Sequence, residues 1–210
     1  MNTDKLYLAV VPFLFRVGRP GAKARRARYA AELPPKGAVL FLGDSLAMRG
    51  DWASWFADLP GHPPVANRGI DGDTTVDLWE RLDESLNEPS VVSLIIGTND
   101  LHAAEDLRDL DGIASRVDDI VSHISLISPG TRILINSVLP RTALLTEQIS
   151  TLNDKLRVIA RERDLTFVDL WPGLAENGAL RSTFTRDNLH LTPAGYAEWV
   201  GTLRPFLGNS

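Results

Sequence analysis

Five short apolar runs punctuate the chain, and the stretches between them carry apolar residues at helical spacing. The runs are Ala38-Val39-Leu40-Phe41-Leu42, Val65-Ala66, residues 91–96, residues 132–138 and residues 165–168. The first lacks the polar alternation of a half-exposed strand and reads as a strand buried on both faces, as do residues 91–96. Between the second and third runs, Val76, Trp79, Leu82 and Leu86 recur at helical spacing behind a cap at Asp73 or Thr74. Ile113, Val117, Ile120, Ile124 and Ile127 predict an amphipathic helix that Pro129-Gly130 stops. Leu145, Ile149, Leu152, Leu156 and Ile159 predict another. A last helix opens with Thr192 as N-cap and Pro193 at its first position, and buries Tyr196, Trp199, Val200 and Leu203. Residues 171–186 are looser, and Trp52, Trp55 and Phe56 suggest a short amphipathic turn packed into the core.

Strands alternating with helices predict a parallel sheet covered on both faces, in an α/β three-layer arrangement. In such folds a site lies beyond the carboxyl ends of the strands. Ser45, Gly69, Asn99 and His190 are expected after the first, second, third and fifth strands, so four chemically useful residues converge at one sheet edge. Gly43 lets the chain turn sharply, and Ser45 then opens the next element, among backbone N–H donors and over a helix N-terminus. Taken alone, Gly43-Asp44-Ser45 reads as well as a turn with a capping side chain. The convergence is what points to an enzyme.

At 210 residues, with 44% hydrophobic and 23% charged residues, the chain fits one globular domain with a substantial core. It has no cysteine, which excludes disulfides and thiolate metal sites and suits a reducing, cytoplasmic setting. The four histidines show no metal-ligand spacing, so no metal is expected. Charge is unevenly spread: residues 1–36 carry a net +6, leaving the body acidic in a chain of net −5. An acidic body argues against nucleic acid as a partner. One lysine precedes the apolar run of residues 6–15 and a dense basic cluster follows it; the run is too short to span a bilayer and flanked wrongly for a signal peptide. Residues 1–36 are therefore set apart from a domain at 37–210. They either dock on that domain or on a second subunit of a homodimer, or bring residues 6–28 to an anionic membrane surface.

Four blocks together resemble the SGNH (GDSL) hydrolase superfamily over residues 37–206. They are Gly43-Asp44-Ser45-Leu46, Gly69 within Asn67-Arg68-Gly69-Ile70-Asp71-Gly72-Asp73-Thr74, Gly97-Thr98-Asn99-Asp100, and Asp187-Asn188-Leu189-His190. Residues 69–86 and the turn Leu139-Pro140-Arg141 are similar to the platelet-activating-factor acetylhydrolase-like branch. The segment Gly43-Asp44-Ser45-Leu46-Ala47 also nearly fits the nucleophile elbow of α/β-hydrolases, but no His-Gly oxyanion segment precedes it. Residues 69–74 lack the lysine of a phosphate-binding loop.

The SGNH resemblance implies a flavodoxin-like, five-stranded parallel sheet and a serine esterase needing no cofactor. Ser45 would be the nucleophile, with His190 and Asp187 completing the triad, and the Ser45 and Gly69 N–H groups and the Asn99 amide would form the oxyanion hole. Leu46, Arg68, Leu139 and Arg141 are candidate substrate contacts, although bracing of loops is the preferred role of the two arginines. Asp44 and Asp100 are expected to tie strand-end loops to backbone N–H groups. The substrate is a small ester of a lipid or carbohydrate. Other readings are a lysophospholipase or thioesterase of longer acyl specificity, and a catalytically silent lipid- or carbohydrate-binding module.

Overall fold

The computed structural model describes residues 20–103 and 108–208. The apolar run of residues 6–15 lies outside them. Helix α1 (Pro20–Ala31) leads into strand β1 (Val39–Gly43), which ends in the single-turn helices α2 (Ser45–Met48) and α3 (Trp52–Trp55). Strand β2 (Val65–Gly69) and helix α4 (Thr75–Trp79) follow, then β3 (Val91–Ile95), α5 (Leu110–Ile127), β4 (Arg132–Asn136), α6 (Thr146–Glu162) and β5 (Thr166–Val168). A short helix α7 (Trp171–Leu174) and a two-residue hairpin of β6 (Ala175–Glu176) and β7 (Ala179–Leu180) precede the closing helix α8 (Pro193–Leu207).

The first five strands are all parallel, in the order β2-β1-β3-β4-β5. Alternation along β1 divides the core. Leu40 and Leu42 face α4, α5 and α6 through Leu78, Ile120 and Leu152. Val39 and Phe41 face Trp52, Phe56 and α8 through Trp199 and Leu203. Burying each such side chain is worth about 1.5–3 kcal/mol, and the sheet is the middle of three layers. Phe41 stacks on Trp52 at 4.0 Å between centroids, and Trp199 meets Trp52 edge-on at 4.9 Å. This aromatic stack fixes the floor beneath α2 and α3.

Connections after β1 and β3 leave on opposite faces of the sheet, so a crevice opens between the carboxyl ends of these neighbouring strands. Gly43 has φ of +146°, and a Cβ there would fall 1.8 Å from the Ile95 carbonyl oxygen. Only glycine lets β1 end so close to β3.

Several boundaries differ from the sequence pattern. β2 runs on through Asn67 and Arg68 to Gly69, which ends the strand instead of following it. The helix expected over residues 76–86 is broken into α4 and a 3-10 turn at Asp83–Ser85, and Trp79 is 47% exposed. Ile127, at the last turn of α5, is also exposed. α1 docks on the domain: Arg26 donates to the Asp77 carbonyl at 2.6 Å, and the Tyr29 hydroxyl donates to the Gly69 carbonyl at 3.3 Å. None of the described helices is long and apolar enough to cross a membrane.

Candidate active site

Ser45 is the first residue of α2 and 2% exposed. Asp44 caps this turn, its Oδ1 accepting the Leu46 N–H at 2.8 Å, and the Tyr196 hydroxyl donates to the Leu46 carbonyl at 2.8 Å. One turn makes little macrodipole, so local N–H groups, not the axis of a helix, shape the field at this serine.

The structure brings Ser45, His190 and Asp187 together. Ser45 Oγ lies 3.0 Å from His190 Nε2, and His190 Nδ1 lies 2.7 Å from Asp187 Oδ2. Asp187 Oδ1 also accepts the Leu189 and His190 backbone N–H groups, at 3.1 and 2.8 Å. Asn188 at φ of +59° closes the turn that lets one carboxylate reach both backbone and ring. Burial works to raise the Asp187 carboxyl, but the His190 ring and the backbone donors outweigh it and hold the carboxyl below its usual value. An ionised Asp187 only accepts, so Nδ1 carries the imidazole proton and the Nε2 lone pair faces the serine. His190 is reached through the 171–186 region, well beyond the end of β5.

Asn99 enters from the loop after β3 and is 5% exposed. One N–H of its amide donates to the Asp73 carbonyl at 2.9 Å. Among the described residues its second N–H makes no hydrogen bond.

Gly69 departs from its expected role. Its N–H donates to Asn67 Oδ1 at 2.9 Å, so it is not aimed into the crevice. Glycine is needed there for another reason: a Cβ would lie 2.2 Å from the Met48 backbone nitrogen, where β2 passes beneath α2. The block contains a second glycine, Gly72, buried at φ of +75° and next to the residue whose carbonyl holds Asn99. Its N–H makes no hydrogen bond among the described residues. The sequence signal was present, a glycine directly before the Asp73-Thr74 cap.

Of the candidate substrate contacts, the two leucines do not take that role, and the two arginines take the loop-bracing role preferred for them. Leu46 and Leu139 are each 1% exposed and belong to the core on the α8 side. Arg68 turns away to α1, donating to the Tyr29 and Glu32 carbonyls with its guanidinium over the Tyr29 ring. Arg141 is buried, donating to the Asn188 carbonyl at 3.1 Å and to Thr98 Oγ1 at 3.0 Å. It braces the Asn99 loop against the His190 turn.

Beneath the crevice lies a set of charges with little sequence signal. Arg81 pairs with Asp73 at 2.7 Å and donates to the Gly43 carbonyl at 3.0 Å. Asp100 accepts the Thr75 N–H at 3.0 Å and pairs with Arg116 at 3.4 Å, its carboxyl raised by burial. Asp44 is fully buried and its Oδ2 has no hydrogen-bond partner among the described residues. Burial, reinforced by the nearby Asp73 and Asp100, pushes its carboxyl up to about 8. A carboxyl raised above its unfolded value binds a proton in the folded state that the unfolded chain has released. Stability therefore falls as pH rises from the unfolded value of 3.8 towards about 8, by at most about 1.4 kcal/mol per pH unit. Asp44→Asn keeps the acceptor for Leu46 and cannot ionise. Its unfolding free energy should fall less steeply than that of the parent between pH 5 and 8 in urea titrations; parallel slopes would show Asp44 to be ionised in the folded protein throughout this range.

The profile of the GDSL-like lipase/acylhydrolase family matches residues 41–198. The chain belongs to the GDSL-like lipase/acylhydrolase family. Membership makes it a carboxylic ester hydrolase. Among solved structures, a Streptococcus pneumoniae protein provisionally described as a platelet activating factor is 25% identical, with 89% of this chain and 92% of that one covered at a TM-score of 0.77. A GDSL-like lipase from Bacteroides thetaiotaomicron is 21% identical, with 89% and 96% covered at 0.74. A catalytic mutant of an acetylxylan esterase from Geobacillus stearothermophilus is 19% identical, with 84% and 96% covered at 0.70. These likenesses place the fold with the GDSL hydrolases. No curated protein matches the chain in sequence.

Proposed function

We propose that this GDSL hydrolase cleaves esters of small acyl groups, carried by a lipid or carbohydrate alcohol, through an acyl-enzyme on Ser45. The supporting observation is the continuous chain of hydrogen bonds from Ser45 Oγ to His190 at 3.0 Å and on to Asp187 at 2.7 Å. Ser45 Oγ attacks the carbonyl carbon while His190 Nε2 takes its proton. Asp187 fixes the tautomer and stabilises the imidazolium. The tetrahedral oxyanion is met by the Ser45 N–H, the free Asn99 amide N–H and, in place of Gly69, the Gly72 N–H. Collapse expels the alcohol, which takes the proton from His190. Water then repeats the sequence on the acyl-enzyme and regenerates Ser45.

A fluorophosphonate should label Ser45 in folded protein. Absence of labelling would leave a silent binding module. Nitrophenyl esters of increasing acyl length should be cleaved fastest at acetyl to butyryl; a maximum at octanoyl or beyond would favour the lysophospholipase or thioesterase reading. Asn99→Ala should lower kcat about 10²–10³-fold, the usual effect of losing one oxyanion donor, with the urea midpoint nearly unchanged. A rate within threefold of the parent removes Asn99 from the mechanism.

A further inference from the structure

Helix α1 carries Lys23, Arg25, Arg26 and Arg28 and no acidic residue. Among its described side chains only Tyr29 is buried, while Lys23, Ala24, Ala27, Arg28 and Ala30 are exposed, so small and basic residues make its outer face. In sequence Arg16 and Arg19 precede the helix, and before them stands the apolar run of residues 6–15.

The contacts of α1 fix which end of the molecule this stretch occupies. Arg26 reaches the Asp77 carbonyl and the Glu80 carboxylate at α4. Further on, Asn87 donates to the Pro34 carbonyl at 2.9 Å, and the Gly37 N–H donates to the Glu88 carbonyl at 3.0 Å. The two segments therefore descend side by side, from the carboxyl ends of the strands towards the amino ends, where the chain enters β1 and β3. Thr75, at the start of α4, already lies at the crevice, its N–H on Asp100. Traced back from Arg26 at the helical rise, Pro20 stands about 9 Å above the level of Asp77. The start of α1 thus points to the rim of the crevice, at the end of the sheet that carries Ser45 and Asn99.

A partner for this stretch must suit a basic helix face and an apolar run together. The run is too short to cross a bilayer, but its length suits burial at the headgroup boundary, with the cations that follow it on anionic headgroups. A second copy of the chain offers less. The acidic side chains on its α5 and α6 helices, Asp111, Asp118 and Asp154, are already paired with Lys155, Arg163 and Arg157. The body of the chain is acidic, so an anionic surface repels it and attracts the end that bears α1.

We propose that α1, with the residues before it, docks the protein on an anionic lipid surface and holds the mouth of the crevice towards the headgroups. Docking of this kind is independent of which ester Ser45 cleaves.

Co-sedimentation of the full chain with vesicles tests the docking. Binding to phosphatidylcholine vesicles containing phosphatidylserine should be at least tenfold tighter than to phosphatidylcholine alone at about 0.1 M salt, and should weaken about tenfold when the salt is raised severalfold. Lys23→Gln and Arg28→Gln, both at exposed positions, should each weaken it about fivefold. Phe13→Asp, in the apolar run, should weaken it more, and all three variants should keep the parent's urea midpoint. The chain has no cysteine, so a single introduced one can carry a polarity-sensitive dye. Dyes on the Ala24→Cys and Asp71→Cys variants, on α1 and beside Gly72, should shift to the blue when the anionic vesicles are added. A dye on the Lys36→Cys variant, at the opposite end of the sheet, should not. No binding, or equal binding to both kinds of vesicle, overturns the docking surface. So does a dimer that Phe13→Asp dissolves in protein that ignores vesicles, which would assign the stretch to a second copy. A blue shift at position 36 and none at 71 overturns the orientation of the crevice.

Discussion

Ser45→Ala should lower kcat on a nitrophenyl acetate by about 10⁴–10⁶-fold, the range found when the nucleophile of a serine triad is removed. KM should change little, because the substrate-facing walls are untouched. The fold should persist as well. The turn that carries Ser45 is capped by Asp44, not by the serine hydroxyl, and its backbone is held by the Tyr196 hydroxyl on Leu46. The variant loses one contact at 3.0 Å to His190 and leaves a space smaller than a water molecule. His190→Ala should cost nearly as much, and the double variant little more than either, since the two groups act as one unit. Residual catalysis over water should remain, from the donors around Asn99. A single variant retaining a tenth of the parent rate would mean that another group attacks the ester. The measurement is kcat from initial rates, paired with a urea midpoint to show that the variant is folded.

The buried strands were legible because both faces of the sheet are covered, so residues such as Leu40, Phe41, Val92 and Ile135 carry no polar interruption. β2 was read too short for the same reason inverted. It is an edge strand, and its polar residues are satisfied outside the sheet: Asn67 donates to the Ala47 and Met48 carbonyls, and Arg68 donates to α1. The helix over residues 76–86 looked continuous because Val76, Trp79, Leu82 and Leu86 share a face, yet Arg81 turns inward to Asp73 and the chain tightens into a 3-10 turn. The residues of the Ser45-His190-Asp187 group could be named beforehand because they fall in two short motifs, Gly43–Leu46 and Asp187–His190. The choice between Gly69 and Gly72 could not be made that way, because it depends on which N–H a neighbouring side chain takes, here Asn67. That residues 49–55 and 191–196 line one pocket was illegible, since the packing of α8 on α3 brings them together.

Arg81→Met should destabilise the protein by about 3–5 kcal/mol, the usual cost of removing one partner of a buried ion pair. The arginine is 1% exposed, and its three contacts reach Asp73, Ser85 and the Gly43 carbonyl, so its loss strands polar groups on both sides of the Ser45 turn. Burial already raises the Asp73 carboxyl to about 6 against the pull of Arg81. Without the guanidinium that carboxyl rises further. A raised carboxyl costs stability as pH climbs from its unfolded value through its folded one, so the window extends above 6 in the variant. The stability gap between parent and variant should therefore be wider at pH 8 than at pH 5, and adding Asp73→Asn should recover part of it. Turnover should fall in the folded fraction too, because the carbonyl of Asp73 orients the Asn99 amide and its neighbour is Gly72. A purely structural arginine would lower the urea midpoint and leave the rate per folded molecule unchanged. A lower kcat at constant KM, measured below the unfolding transition at pH 7, would show that this buried pair also aims the oxyanion donors.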